Sequence, residues 1–113
     1  MVTADGEIKL VDFGFAAELH GHGFLHGEVG TPGYMAPEIW NSQSGVSYQG
    51  TDADLFALGV TLFAAQFRSL PFQRARLDDA QYLALTGRGD PNAWGRYSQY
   101  CSQEFMNLIM NMI

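Results

Sequence analysis

Basic groups are scarce in this sequence. Of 113 residues, six are Lys or Arg against 12 Asp or Glu, for a formal net charge of -6, and Lys9 is the single lysine. Binding a nucleic-acid backbone needs clustered basic groups, so that class of partner is excluded as an expectation. One cysteine, Cys101, rules out an internal disulfide. Long apolar runs are also lacking. The longest, within 55–67, is interrupted by Thr61 and Gln66 and is too short for a membrane span. No basic leader followed by an apolar run opens the chain at Met1-Val2-Thr3. Together these absences lead to the expectation of a cytoplasmic or nuclear protein with no membrane partner.

What is present fits one compact globular unit, with 47% of residues hydrophobic. Asp5-Gly6 is a tight-turn dipeptide, and Ile8-Lys9-Leu10-Val11 after it reads as a short strand with Ile8 and Leu10 on one face. From Gly14 to Gly30 the chain has five glycines, three histidines and little periodicity, the pattern of a long mobile loop. Thr51 followed by Asp54 has the spacing of a capping box. It predicts a helix over about 52–67 that is apolar on nearly every face and therefore buried all round. Leu70-Pro71-Phe72 ends it. Asp78-Asp79 suits the start of a second helix, and Asp90-Pro91 that of a short third. Ser102 can cap a last helix with Phe105, Leu108, Ile109 and Met112 on one stripe.

Asp12-Phe13-Gly14 directly follows the predicted strand. Alone it means little, since such a tripeptide arises by chance in about one chain of this size in a hundred. At Gly30 begins Gly-Thr-Pro-Gly-Tyr-Met-Ala-Pro-Glu, ending at Glu38, and 16 residues further on Asp54-Leu55-Phe56-Ala57-Leu58-Gly59 opens the predicted helix. In order, spacing and setting, these three motifs resemble the eukaryotic-type protein kinase family over essentially the whole chain. Thr31 favours its serine/threonine branch. Leu70-Pro71-Phe72, Asp78-Asp79, Tyr82 and Trp94 are similar, more weakly, to calcium/calmodulin-dependent kinases.

The resemblance implies a partial kinase domain over 1–113. Its fold would be that of the C-terminal lobe, mainly α with a short N-terminal β hairpin. The activation segment would run over 12–38, the central helix over about 52–67 and later helices over about 78–113. It further implies ATP-dependent phosphorylation of protein Ser/Thr by the parent family, with a protein as substrate or partner. Asp12 would then be a ligand of the Mg²⁺ that bridges the ATP phosphates. Phe13 would set the active or inactive position of the loop, and Gly14 would allow the backbone excursion. Gly30, Thr31, Pro32, Gly33 and Tyr34 would cradle the substrate. Glu38 would be a structural glutamate paired with an arginine late in the lobe. Asp54 would hold the catalytic-loop backbone. Tyr34, Tyr48 and Tyr82 read as packing or surface residues rather than phosphorylation sites.

Several family features have no counterpart in the sequence. There is no glycine-rich phosphate loop, no ATP-binding lysine and no His-Arg-Asp. By the family's usual spacing the catalytic-loop asparagine would fall just before Met1, and the arginine partner of Glu38 beyond Ile113. No catalytic base is thus present, and neither Mg²⁺ nor ATP is expected to bind well to this chain alone. Thr61 and Ala65 stand where the helix usually offers larger apolar side chains to the spine beneath the adenine, and Ala64 where basophilic kinases often carry a glutamate. No Ser, Thr or Tyr lies between Phe15 and Gly30, so a phosphorylated activation loop has no acceptor there.

Other readings compete. A pseudokinase-like interaction module or a non-functional remnant explains the same motifs. His20, His22 and His26, with Glu18 or Glu28, suggest a zinc site, though no partner motif closes a tetrahedral set. The glycines of Gly21-His22-Gly23 do not keep nucleotide-loop spacing, because the third is displaced to Gly27. Arg88-Gly89-Asp90 spells an adhesion tripeptide without a secretion signal.

Overall fold

A computed structural model describes residues 1–42, 45–90 and 92–113. Elements follow in the order β1 (Phe24–Leu25), α1 (Pro37–Asn41), β2 (Tyr48–Gln49), α2 (Gly50–Phe67), α3 (Ala80–Leu85) and α4 (Gln103–Met112). Short 3-10 turns occupy Pro32–Tyr34 and Ala93–Arg96. The architecture is mainly helical with little sheet, as the fold class inferred from the sequence requires. No helix among the described residues is long and apolar enough to cross a membrane.

The chain opens in a small hairpin. The Thr3 amide donates to the Glu7 carbonyl at 2.9 Å across the Asp5-Gly6 turn, and Gly6 takes φ +87°, a region that glycine enters without steric cost. The strand expected over Ile8–Val11 is cut to a single antiparallel bridge, Val2 to Ile8. Beyond it the Lys9 amide donates to the Met1 carbonyl at 2.9 Å, and Leu10 is 86% exposed. The loop expected over 14–30 instead contains β1, which pairs antiparallel with β2, Phe24 opposite Gln49 and Leu25 opposite Tyr48.

That pairing also moves the start of the central helix. Gln49 is extended and the Gly50 amide donates to the Gly23 carbonyl at 3.1 Å, so α2 begins directly at Gly50, two residues ahead of the predicted start. Thr51 lies inside the first turn and no side chain caps the helix. The capping-box reading is therefore corrected: tertiary pairing with β1, not a local hydroxyl, sets this N-terminus. A Cβ at Gly50 would stand 2.8 Å from Leu19 Cδ2 and 2.9 Å from Leu25 Cδ1, so any larger residue there must displace those side chains.

Burial of α2 is one-sided. Ala53, Phe56, Gly59, Val60 and Phe63 are buried at helical spacing. They face α4 and the Pro32–Tyr34 turn. Leu55 and Leu58 are about half exposed at 50% and 49%, and Thr61 and Ala65 are exposed. A helix buried on every face is thus not what this chain forms. Arg68, in the left-handed region, ends it by donating to the Ala64 carbonyl at 2.8 Å.

Around Phe63 the core is aromatic. Phe67 lies 4.6 Å and Tyr97 5.1 Å away, centroid to centroid, with Trp94 edge-on at 6.2 Å. Phe72 carries the core on to Phe56 and Tyr82. The caps of α3 and α4 agree with expectation. Asp79 precedes α3 and accepts from the Gln81 and Tyr82 amides. Ser102 precedes α4 and accepts from the Phe105 amide at 3.2 Å. Within α4 the buried pair is Met106 and Ile109, whereas Leu108 is half exposed. Phe105, Ile109 and Met112 keep the inward side of the predicted stripe, and Met106 takes the place of Leu108 on it. Pro91 lies outside the described residues; after it the chain forms the Ala93–Arg96 turn, preceded by Asn92.

Candidate functional site

Asp12 takes φ +61°. A side-chain-bearing residue avoids this left-handed region by about 1–2 kcal/mol, and aspartate is among the few that visit it. Its own carboxylate supports the conformation: Oδ1 accepts from the Gly14 amide at 3.3 Å. The Ala16 amide then closes a turn onto the Phe13 carbonyl at 3.0 Å. Phe13 points away from the core, 70% exposed.

The second segment is more tightly built. Gly30 takes φ +123° against Met35, whose Cγ would lie 3.1 Å from a Cβ there. The Tyr34 amide donates to the Thr31 carbonyl at 2.9 Å to form the turn. Gly33 is buried beneath Leu70, which would sit 2.8 Å from a Cβ at that position. Met35 and Ala36 are buried directly after it, so the loop is anchored from below while Thr31 remains exposed.

These segments meet α2 at an open cleft of about 440 Å³. Gly14 and Phe15 line one side, Gly30, Thr31 and Tyr34 another, and Asp54 projects into it from the second turn of α2. Of the residues expected from the sequence, Gly14, Gly30, Thr31, Tyr34 and Asp54 come together here. Asp12, Phe13, Pro32, Gly33 and Glu38 do not line the cleft. Glu38 sits half-buried in the first turn of α1. Among the described residues it has no basic side chain within ion-pair distance.

Tyr48 is the contributor that motif reading missed. It is buried and lines the same cleft. Burial pushes its phenol above the usual range, and the Asp54 and Glu38 carboxylates push it further the same way. The phenol is therefore a neutral hydrogen-bonding group at neutral pH, set near two carboxylates. Nothing local in the sequence marks it; its place follows from the β1–β2 pairing.

A magnesium–nucleotide site does not fit the donor set of this chain by itself. Magnesium is held by one or two carboxylates together with substrate phosphates. Here a single exposed carboxylate, Asp12, is offered, and it already accepts the Gly14 amide. No group of three or more His, Cys, Asp or Glu side chains comes together among the described residues. The histidine loop is open as well: His20 lies 3.7 Å from Glu18, and both side chains are about four-fifths exposed.

Comparison with known proteins places the same residues in one family. The protein kinase domain family matches residues 1–113. CBL-interacting serine/threonine-protein kinase 26 of Arabidopsis thaliana is 41% identical over 80 residues, covering 68% of this chain and 18% of that protein. A calcium/calmodulin-dependent protein kinase kinase of Caenorhabditis elegans is 40% identical over 68 residues, 59% of this chain and 13% of that protein. CBL-interacting protein kinase 12 of Oryza sativa subsp. japonica is 34% identical over 116 aligned residues, 100% of this chain and 20% of that protein. The chain thus spans a fifth or less of the length of these relatives.

Proposed function

The chain belongs to the protein kinase domain family, and from that premise we propose that it is the activation-segment and C-terminal-lobe part of a protein serine/threonine kinase. In this reading it does not transfer phosphate alone. It presents a substrate loop and a docking aspartate to polypeptide that supplies the nucleotide clamp and the catalytic base.

The observation that carries this reading is the cleft. Thr31 at its rim and Asp54 at its wall face a space of about 440 Å³, wide enough for a loop of backbone. Asp54 is exposed, so its carboxylate is free to accept backbone N–H groups from a segment seated there. In this reading the Thr31 hydroxyl would contact that segment beside the substrate. ATP and magnesium belong to the chemistry of the family, the ion neutralising charge on the phosphates. In a complete domain Asp12 is the residue of this chain that would hold it.

A chimera tests the proposal. The nucleotide-binding lobe and catalytic loop of the Arabidopsis relative, joined before Met1, are expected to give phosphate transfer to a Ser/Thr peptide. Asp12→Ala should abolish transfer with little change in melting temperature. Asp54→Ala should lower activity and stability together, because it releases backbone held by charge-assisted hydrogen bonds worth about 1.5–3 kcal/mol each. A folded chimera that binds ATP but transfers nothing overturns the proposal. So does a reversal of the two phenotypes for the roles assigned.

One observation favours a second reading, an interaction module. The loop between Phe15 and Gly30 carries no hydroxyl, so the usual phosphorylation switch of an activation segment has no acceptor there. A chimera that is folded yet silent, with a chain that is itself a stable monomer, supports that reading instead.

A further inference from the structure

A second cavity, of about 550 Å³, opens on the side of α1 away from the cleft, between that helix, the loop before α3 and the turn after it. Trp40, Asn41, Arg76, Asp78, Tyr82 and Arg88 supply its polar lining. In a chain with twice as many acids as bases, two of the six cationic side chains meet here with one carboxylate. Arg76 is shared between that carboxylate, Asp78, at 3.6 Å and the face of Trp40, 5.6 Å from the ring centre. Arg88 has no carboxylate within ion-pair distance among the described residues.

The lining is also short of acceptors. Trp40 Nε1 is shielded from solvent and has no hydrogen-bond partner among the described residues. Indole N–H is a donor only, and leaving it unpaired is costly. Burial raises the Tyr82 phenol above its usual range, Arg88 pulls it back down and the Glu38 carboxylate pushes it up, so one guanidinium and a carboxylate other than Asp78 lie within electrostatic reach of that phenol.

The frame holding these groups is fixed. Asp79 ties the preceding loop through the Gln73 and Arg74 amides at 3.0 and 3.1 Å. Beyond α3, Gly87 at φ +74° lets the chain turn, and the Arg88 amide donates to the Leu83 carbonyl at 2.9 Å. The Arg76 and Arg88 guanidinium groups that line the cavity are each a planar fork of donors of the kind that recognises a carboxylate or phosphate. The volume suits one or two side chains.

We propose that the Trp40–Arg76–Arg88 cavity is a docking site for an anionic side chain on a peptide segment of a partner protein. Carboxylate and phosphate share the chemistry, and the experiment separates them. Fluorescence anisotropy of three labelled peptides with the folded chimera described above is the measurement: one Glu-rich, one carrying phosphoserine, and one with Gln at the acidic positions.

Binding of the Glu-rich or the phosphoserine peptide, with none of the Gln peptide, is expected. The tighter of the two identifies the source of the anion. Arg88→Gln and Arg76→Gln should each weaken it by about tenfold or more, as loss of a charge-assisted pair does. Arg68→Gln, outside the cavity, should leave it unchanged. Trp40→Phe, which keeps an aromatic face but a smaller one without the N–H, should weaken it less. If Arg88→Gln loses its helical circular dichroism, Arg88→Lys replaces it, keeps the charge without the fork and is expected to lose part of the affinity. No binding of either anionic peptide, or binding that both arginine variants leave intact, overturns the proposal.

Discussion

Asp79 shows how much one carboxylate can organise. It accepts four backbone amides, from Gln73, Arg74, Gln81 and Tyr82, all at 3.0–3.1 Å. Partial burial raises its pKa, but the four donors together outweigh that and hold it below the ordinary carboxylate range. A depressed folded-state pKa gives stability that is complete above the unfolded value, about pH 4. That stability is lost as pH falls through the folded value. Asp79→Ala should lower stability by about 2 kcal/mol, the upper range for a lost cap, since it frees two loop amides as well. Urea unfolding at pH 7 and again at pH 3 checks this: the gap between wild type and variant should narrow at the lower pH. Asp79 and Ser102 were legible in the sequence because an acceptor directly before an apolar run acts locally. Thr51 has the same local signature and does not cap, because β1 decides where that helix starts. The left-handed backbone at Asp12 left no mark in the sequence, since the residue type permits it without requiring it.

At the scale of elements, α2 shows what periodicity conveys and what it hides. Its length and place were readable, but its apolar residues do not reveal which face is covered. Phe56, Val60 and Phe63 turn to the core while Leu55 and Leu58 stay half in water. Phe63→Ala should therefore cost about 3–5 kcal/mol, whereas Leu58→Ser should cost under about 1 kcal/mol in this chain. Chemical denaturation of the two variants compares them directly; equal losses would show that the outer face of α2 is covered after all. Gly59 sets the crossing with α4, where an added Cβ would lie 2.7 Å from Met112 Cβ and 2.9 Å from Ile113 Cγ2. Gly59→Val should cost about 1–3 kcal/mol by overpacking. Gly95→Ala, with nothing within 4 Å, is the control and should be near neutral. The hidden strand β1 could not be read from its two residues, which acquire order only by pairing with Tyr48 and Gln49.

For the whole molecule, residues 1–31 add little to the core, whose buried members run from Met35 to Ile109. The radius of gyration is 15.1 Å, against about 13 Å for a compact chain of this length. Ile8, Leu10, Phe13 and Phe15 are each at least 70% exposed, and a large apolar side chain left in water forfeits about 1.5–3 kcal/mol of burial. Several such residues rival the whole net stability of a domain, about 5–15 kcal/mol. The chain alone should therefore self-associate or melt broadly, as size-exclusion chromatography with thermal circular dichroism would show. A monodisperse monomer with one sharp transition would mean that these groups repack. The family and the order of the motifs were legible because each motif is a short, rigid pattern of residue types. The cleft, Tyr48 and the Trp40 cavity were not, because distant segments build them.

The central proposal is that this part of a protein kinase domain offers a substrate loop and does not transfer phosphate by itself. Its most direct test is incubation of the purified chain with magnesium and γ-labelled ATP beside a generic Ser/Thr peptide, counting label against a no-protein control. The account predicts no incorporation above that control, because on the proposed reading Asp12 is the one nucleotide-site residue identified in this sequence and the base is supplied by other polypeptide. Reproducible incorporation that disappears in Asp12→Ala would contradict it.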